Sequence, residues 1–127
     1  MATNGIVIFA KQIDKMSKFY QHVLNAEVAE SANSHVVLSA KGVEVVIHGI
    51  PKDVASSIAI DEPPQLRAAA VFKPVFTIES LAHVRKASNQ YGGGLKAMTD
   101  AWDIRGAIVL DGWDPEGNVI QFKEVAS

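Results

Sequence analysis

Four side chains are the first candidates for binding or chemistry, because each is polar and interrupts an apolar, strand-like run. Lys73 could pair with a carboxylate or, away from water, act as a base or Schiff-base nucleophile. Glu44 and His48 are four positions apart in a predicted strand, so both lie on one face and could form an acid-base pair. Gln121 alternates with apolar neighbours and could hold a polar ligand through its amide.

Two further candidates lie close together near the predicted last hairpin. Trp102 could stack on a planar ligand, and Arg105 could bind an anion. Every candidate also has a purely structural interpretation. Lys73 can extend to solvent at a strand end, His48 and Glu44 can form a solvated strand edge, Trp102 can pack in the core, and Arg105 can stabilise its own turn.

The elements that position these residues follow from hydrophobic periodicity. In the first half, Asp14 is predicted as the N-cap of a helix whose apolar residues recur at helical spacing, and Asn25 fits its C-terminal end. The predicted strands of this half span residues 5–11, 26–31, 35–39 and 43–48. Residues 51–67 contain two adjacent prolines and little periodicity, so they predict a linker or flap.

The second half repeats this order of strand, helix and three strands. Ser80 is predicted to cap the second helix, three consecutive glycines at 92–94 end it, and Pro74 predicts an edge position or bulge in the strand before it. A tight turn is predicted at 114–118 from Pro115 and Gly117. The predicted strands of this half span residues 71–78, 95–100, 106–111 and 119–125.

Bulk composition narrows the class of protein. The 127 residues are 48% hydrophobic with a net charge of −2 and no charge blocks, which predicts one compact domain without nucleic-acid or membrane partners. The absence of cysteine excludes disulfides, thiolate metal sites and cysteine nucleophiles. No basic segment or cleavage-like site flanks the first apolar run, so a signal peptide is not expected and a cytoplasmic location is predicted.

Short motifs in both halves carry a family resemblance. Phe19-Tyr20 lies in the first predicted helix, Trp102 and Arg105 form a Trp-x-x-Arg segment, and residues 114–118 read Asp-Pro-Glu-Gly-Asn. With the helix entry at 76–81, this order resembles the vicinal oxygen chelate superfamily, which includes glyoxalase I, bleomycin-resistance proteins, fosfomycin-resistance enzymes and extradiol dioxygenases. The match covers nearly the whole chain.

The resemblance implies an α+β fold in which two βαβββ modules with curved mixed sheets enclose a pocket, as in glyoxalase and bleomycin-resistance proteins. It implies a single domain over residues 1–127, with a first module at about 4–50, a linker at 51–67 and a second module at about 68–126. The resemblance also implies a homodimer, because the family commonly builds its site across two units. The sequence leaves open whether modules pair within one chain or between chains.

Family enzymes hold a divalent metal with side chains from four strand positions. By resemblance these positions fall on Gly5, Val46, Lys73 and Gln121, of which only Gln121 offers an oxygen. We therefore expect no metal and no cofactor. A two-residue register shift in the fourth strand would instead bring Glu44 or His48 into the pocket, as potential ligands.

The sequence favours a glyoxalase-like protein that binds a small organic molecule in its sheet cavity without metal. Lys73, Gln121, His48, Trp102 and Arg105 are the predicted ligand-binding residues. The alternative is a divergent lyase or isomerase of the glyoxalase type, acting on a carbonyl or hydroxy acid through Lys73, His48 or Glu44 with unusual or no metal ligation. A third hypothesis is a structural or regulatory subunit whose own side chains fill the pocket.

Overall fold

The computed structural model describes residues 3–60, 62–67 and 71–125. In the first module, β1 (Gly5–Ala10) is followed by α1 (Ile13–Val23), β2 (Glu27–Ser31), β3 (His35–Ala40) and β4 (Val43–Gly49). These strands form a sheet in the order β1-β4-β3-β2, in which β1 and β4 are parallel and the other neighbours antiparallel. We call it the first sheet.

The linker contains one helical turn, α2 (Lys52–Ala55), which the sequence did not predict. The second module then follows with β5 (Val75–Ile78), α3 (Leu81–Gln90), β6 (Gly94–Leu95), β7 (Trp102–Ile104), β8 (Ala107–Trp113) and β9 (Val119–Val125). Its strands form the second sheet in the order β5-β9-β8-β6, with β7 also pairing with β8. The parallel β5-β9 pair repeats the parallel β1-β4 pair of the first sheet.

Three sequence predictions about elements are wrong. Gln12, not Asp14, is the N-cap of α1, because its backbone is still extended, with φ −118° and ψ 90°. The carboxylate of Glu116 accepts the Lys11 and Gln12 backbone N–H groups at 2.9 and 2.8 Å just before the helix. The strand predicted at 71–78 begins only at Val75, after Pro74. The strand predicted at 95–100 is a two-residue strand followed by a 3₁₀ turn, Met98–Asp100, and the strand β7 was not predicted.

Alternation along each strand divides the side chains between two faces. The face toward the helices is apolar and buried, as in Val45 and Ile47 of β4 or Ile120 and Phe122 of β9. These side chains form one continuous core with the buried sides of α1 and α3. Such burial is the main source of stability in a small domain. We call the opposite surfaces the open faces of the two sheets.

The modules contact each other through their helices. Helix α1 packs against α3, and Tyr20 of α1 contacts Phe76 of β5 edge to face with ring centroids 6.2 Å apart. Within the described residues, the two sheets share no hydrogen-bonded strand pair, so the modules of one chain are not joined at their sheet edges. The open faces therefore lie away from the intramolecular contact. None of the described helices has the length and apolar character needed to cross a bilayer.

Candidate functional site

Three rings form a row across the open face of the first sheet. Phe9 on β1 is the register partner of His48 on β4, which is in turn the register partner of His35 on β3. The Phe9 and His48 rings meet edge to face at 5.8 Å, and the two imidazoles lie nearly parallel at 6.1 Å. His48 is half-buried in this row, and its Nδ1 lies 2.9 Å from the Gly49 carbonyl oxygen.

The second imidazole of the row is held at both nitrogens. The Nε2 of His35 lies 2.5 Å from the Glu30 carboxylate, and its Nδ1 lies 3.0 Å from the Ser34 hydroxyl. Glu44 is opposite Ser39 rather than beside His48. Four residues of strand separate Glu44 from His48 by roughly 13 Å, so the acid-base pair considered from the sequence does not form.

The open face of the second sheet carries a polar cluster that the sequence predicted only in part. The Lys73 ammonium lies 3.1 Å from the Asp111 carboxylate, whose side chain is mostly buried. Asp111 is the register partner of Gln121, and the Gln121 amide donates a long hydrogen bond of 3.5 Å to it. Lys73 itself lies just before β5, where the Pro74 carbonyl accepts the Gln121 backbone N–H. Lys73 and Gln121 are thus brought together, with Asp111 between them.

Trp102 and Arg105 are separated by the β7-β8 turn. Trp102 pairs with Val109 of β8, and Val109 pairs with Lys123 of β9, so Trp102 shares the open face of the second sheet with the polar cluster. Arg105 occupies the turn with a left-handed φ of 48° and is exposed. It has no hydrogen bond to the described residues that would fix it toward the cluster.

The structure thus divides the predicted ligand-binding residues between two surfaces. Lys73, Gln121 and Trp102 lie on or beside the open face of the second sheet, whereas His48 lies on that of the first sheet. Asp111 was missed, although a turn centred on residue 116 already places it opposite Gln121 in a hairpin. His35 and Phe9 could have been found in the same way from the pairing of β3, β4 and β1.

No metal centre is assembled among the described residues, since no three His, Asp or Glu side chains there converge on a common point. At the family's ligand positions, Gly5 lies opposite Glu44, and Val46 lies opposite Val7. Lys73 would bring a positive charge to such a site. The residues present at these positions do not fit a bound divalent ion.

A buried network behind the sheets fixes the relation between the modules. The Tyr20 hydroxyl of α1 donates a 2.6 Å hydrogen bond to Asp114 in the turn at 114–118. Burial raises the pKa of Asp114, while hydrogen bonds from Tyr20, Asn118 and the backbone act in the opposite direction. Burial first, and then the nearby Asp114 charge, raises the pKa of Tyr20, which therefore stays protonated as the donor.

Comparison with known proteins identifies the fold. No protein-family model matches the sequence, and no curated protein matches it either. Among solved structures, a glyoxalase/bleomycin resistance protein/dioxygenase from Alicyclobacillus acidocaldarius superposes with a TM-score of 0.63 at 18% identity, covering 99% of this chain and 92% of that one.

A family enzyme of the same description from Burkholderia phytofirmans gives a TM-score of 0.65 at 18% identity, covering 98% of this chain and all of the other. The fosfomycin resistance protein FosX from Listeria monocytogenes gives 0.67 at 15% identity, covering 99% of this chain and 94% of that one. Similarity at these identities is similarity of fold. The chain therefore has the fold of the vicinal oxygen chelate superfamily, as its sequence motifs predicted.

Proposed function

We propose that this protein binds a small organic molecule, without a metal, in a cavity that two copies of the chain form together. In this arrangement the open face of the first sheet from one protomer covers the open face of the second sheet from its partner. A two-fold axis relates the protomers, so the same contact occurs twice and forms two equivalent cavities. Each cavity then combines the Phe9-His48-His35 row with the polar cluster of Lys73, Asp111 and Gln121.

The observation that carries this proposal is the exposure of apolar side chains on both open faces. Val7 and Phe9 on the first sheet are 52% and 60% exposed, and Val75 and Trp102 on the second are 51% and 42% exposed. Contiguous apolar surface of this kind marks interaction sites in soluble proteins. Within a chain the modules are joined through their helices, so this contact leaves both open faces uncovered. We infer that a second copy of the chain covers them.

Charge supports the same pairing. The open face of the first sheet carries the carboxylates of Glu27, Glu30 and Glu44, whereas that of the second carries the Lys73–Asp111 ion pair and the ammonium group of Lys123. Faces of opposite sign favour association of one face with the other and disfavour pairing of identical faces. Polar side chains at the centre of an otherwise apolar enclosure also fit the general form of small-molecule sites.

A catalytic role is the second candidate, and one observation favours it. The imidazole of His48 is oriented by the hydrogen bond to the Gly49 carbonyl, as expected for a general base. In contrast, Lys73 is already paired with Asp111, which disfavours its action as an amine nucleophile. A lyase or isomerase reaction would therefore depend on His48, and we rank it below binding alone.

The test is the assembly state of the chain with and without a charge placed on the open face. Sedimentation should give a dimer for the natural sequence and a folded monomer for Phe9→Asp, because the substitution replaces an apolar ring of the interface with a carboxylate that would have to be desolvated there. Val54→Asp in α2 is the matched control, since Val54 is 48% exposed but lies outside both open faces. A monomeric natural sequence, or a Phe9→Asp variant that dimerises like Val54→Asp, would contradict the proposed cavity.

A further inference from the structure

We propose that His48 selects the ligand as a neutral hydrogen-bond acceptor, so that the site takes a planar molecule with an N–H or O–H donor and rejects a carboxylate. This inference rests on the proposed function above and specifies the ligand that the cavity would hold. It reverses the expectation from sequence that Lys73 would recruit an organic anion. Three features of the open faces lead to it.

The first feature is the proton arrangement of His48. Its Nδ1 is 2.9 Å from the Gly49 carbonyl oxygen, and a carbonyl can only accept, so Nδ1 carries the ring proton. In the neutral ring this leaves a lone pair on Nε2, for which the described residues offer no hydrogen-bond donor. Phe9 and His35 flank the ring on both sides and hold its orientation. In the neutral form of the ring, Nε2 is therefore an acceptor of fixed orientation beside an aromatic surface.

The other histidines do not share this arrangement. Both nitrogens of His35 are engaged, by Glu30 and Ser34. His83 is an exposed residue of α3 whose Nε2 donates to the His22 carbonyl. His22 stacks on Tyr91 at 4.1 Å with parallel rings, on the helical side of the molecule. His48 is the imidazole that combines partial burial, a determined tautomer and a place on an open face.

The second and third features concern charge. The open face that carries His48 also carries Glu44, roughly 13 Å away along β4, and Glu30, which is paired with His35. The fixed charges that β2 and β4 place on this face are therefore carboxylates. On the opposing face, the Lys73 ammonium is 3.1 Å from Asp111 and is not available as a free counter-ion. A carboxylate ligand would therefore have to separate this ion pair, whereas an N–H donor would leave it intact.

The experiment compares three probes of one shape: benzamidine, benzamide and benzoate, which carry positive, zero and negative charge. Binding to the full chain is followed by tryptophan fluorescence, because Trp102 and Trp113 belong to β7 and β8 of the second sheet. We expect benzamidine and benzamide to bind more tightly than benzoate. Tighter binding of benzoate would overturn this inference alone, whereas failure of all three probes to bind would also refute the proposed binding function.

Substitution of His48 distinguishes the hydrogen bond that it accepts from the ligand from general effects of charge. In His48→Phe the aromatic row is kept but the acceptor is lost, so benzamide should bind about tenfold more weakly, with little change for benzoate. His83→Phe is the matched control and should bind like the natural sequence. Equal benzamide affinities in the two variants would overturn the assignment. Circular dichroism and sedimentation of His48→Phe report its folding, and the ranking of the three probes on the natural sequence tests the proposal without any variant.

Discussion

Removing one hydroxyl from the buried network between the modules should reveal how strongly they are coupled. In Tyr20→Phe, the ring stays in the core while Asp114 loses the 2.6 Å hydrogen bond that Tyr20 donates. Both side chains are inaccessible to solvent, so water cannot replace the lost donor without rearrangement. A hydrogen bond to a buried charged group contributes about 1.5–3 kcal/mol. We expect a loss of about 2 kcal/mol in the free energy of unfolding, or roughly 5–10 °C in Tm.

This loss should depend on pH in a defined direction. Burial raises the pKa of Asp114 above its unfolded value of 3.8, so folding favours the protonated form. Its contribution to stability is therefore fully present below the unfolded pKa and decreases as pH rises through the folded pKa. The Tyr20 hydrogen bond lowers that folded pKa, and removing it raises the pKa further. The stability difference between the natural sequence and Tyr20→Phe should therefore be small in acid and grow toward neutral pH.

The assay is urea denaturation at a series of pH values, with Tyr91→Phe as control. Tyr91 is the second tyrosine of the chain; it is half-buried, and its hydroxyl has no partner among the described residues. Tyr91→Phe should change stability little at any pH. The reasoning would be refuted if Tyr20→Phe were no less stable than Tyr91→Phe, or if its deficit shrank as the pH increased.

Two further predictions concern a glycine and metal ions. In Gly117→Ala the new Cβ would lie 2.0 Å from the Gln65 carbonyl oxygen at a φ of +86°. In Gly106→Ala, at +82°, no non-neighbouring atom of the part of the chain that the structure describes lies within 4 Å of the new Cβ. Gly106→Ala should cost about 1–2 kcal/mol from backbone strain and Gly117→Ala clearly more, as compared by urea midpoints; equal losses would contradict the close contact. Ni²⁺, Zn²⁺ or Mn²⁺ should not shift the melting of metal-stripped protein, because a true site at about 100 times its Kd would add ~2.7 kcal/mol. A shift would refute the metal-free proposal and direct attention to Glu44 and His48.

Much of the architecture was predictable because periodic patterns report which side of a strand or helix is buried. Phe122 and Ile120 alternate with Gln121, and the structure indeed places the first two in the core and Gln121 on the open face. The Ser80 cap is confirmed by the hydrogen bond that its hydroxyl accepts from His83. The turn at 114–118 was predictable because Pro115 and Gly117 restrict local backbone geometry in a known way.

What sequence reasoning missed depends on contacts between distant residues. The Glu116 carboxylate accepts the Lys11 and Gln12 amides that lead into α1, and local capping rules cannot anticipate a partner so distant in sequence. Lys73 looked free because its neighbours in sequence are apolar, yet the fold brings Asp111 to it. Likewise, no local pattern determines that helices, rather than sheet edges, join the modules within one chain.

The hydrogen bond that the Glu116 carboxylate accepts from the Lys11 amide affects how the chain folds. The two residues are 105 positions apart, so the segment that leads into α1 finds this acceptor only after the second module has been synthesised as far as Glu116. Closing so large a loop is entropically expensive and slows folding relative to a chain with local contacts. A nascent chain that stops before the turn at 114–118 would leave the Lys11 and Gln12 amides, which lead into α1, without their acceptor. We therefore expect the first module to be less stable on its own, so that fragments cut at the linker should refold less readily than the whole chain.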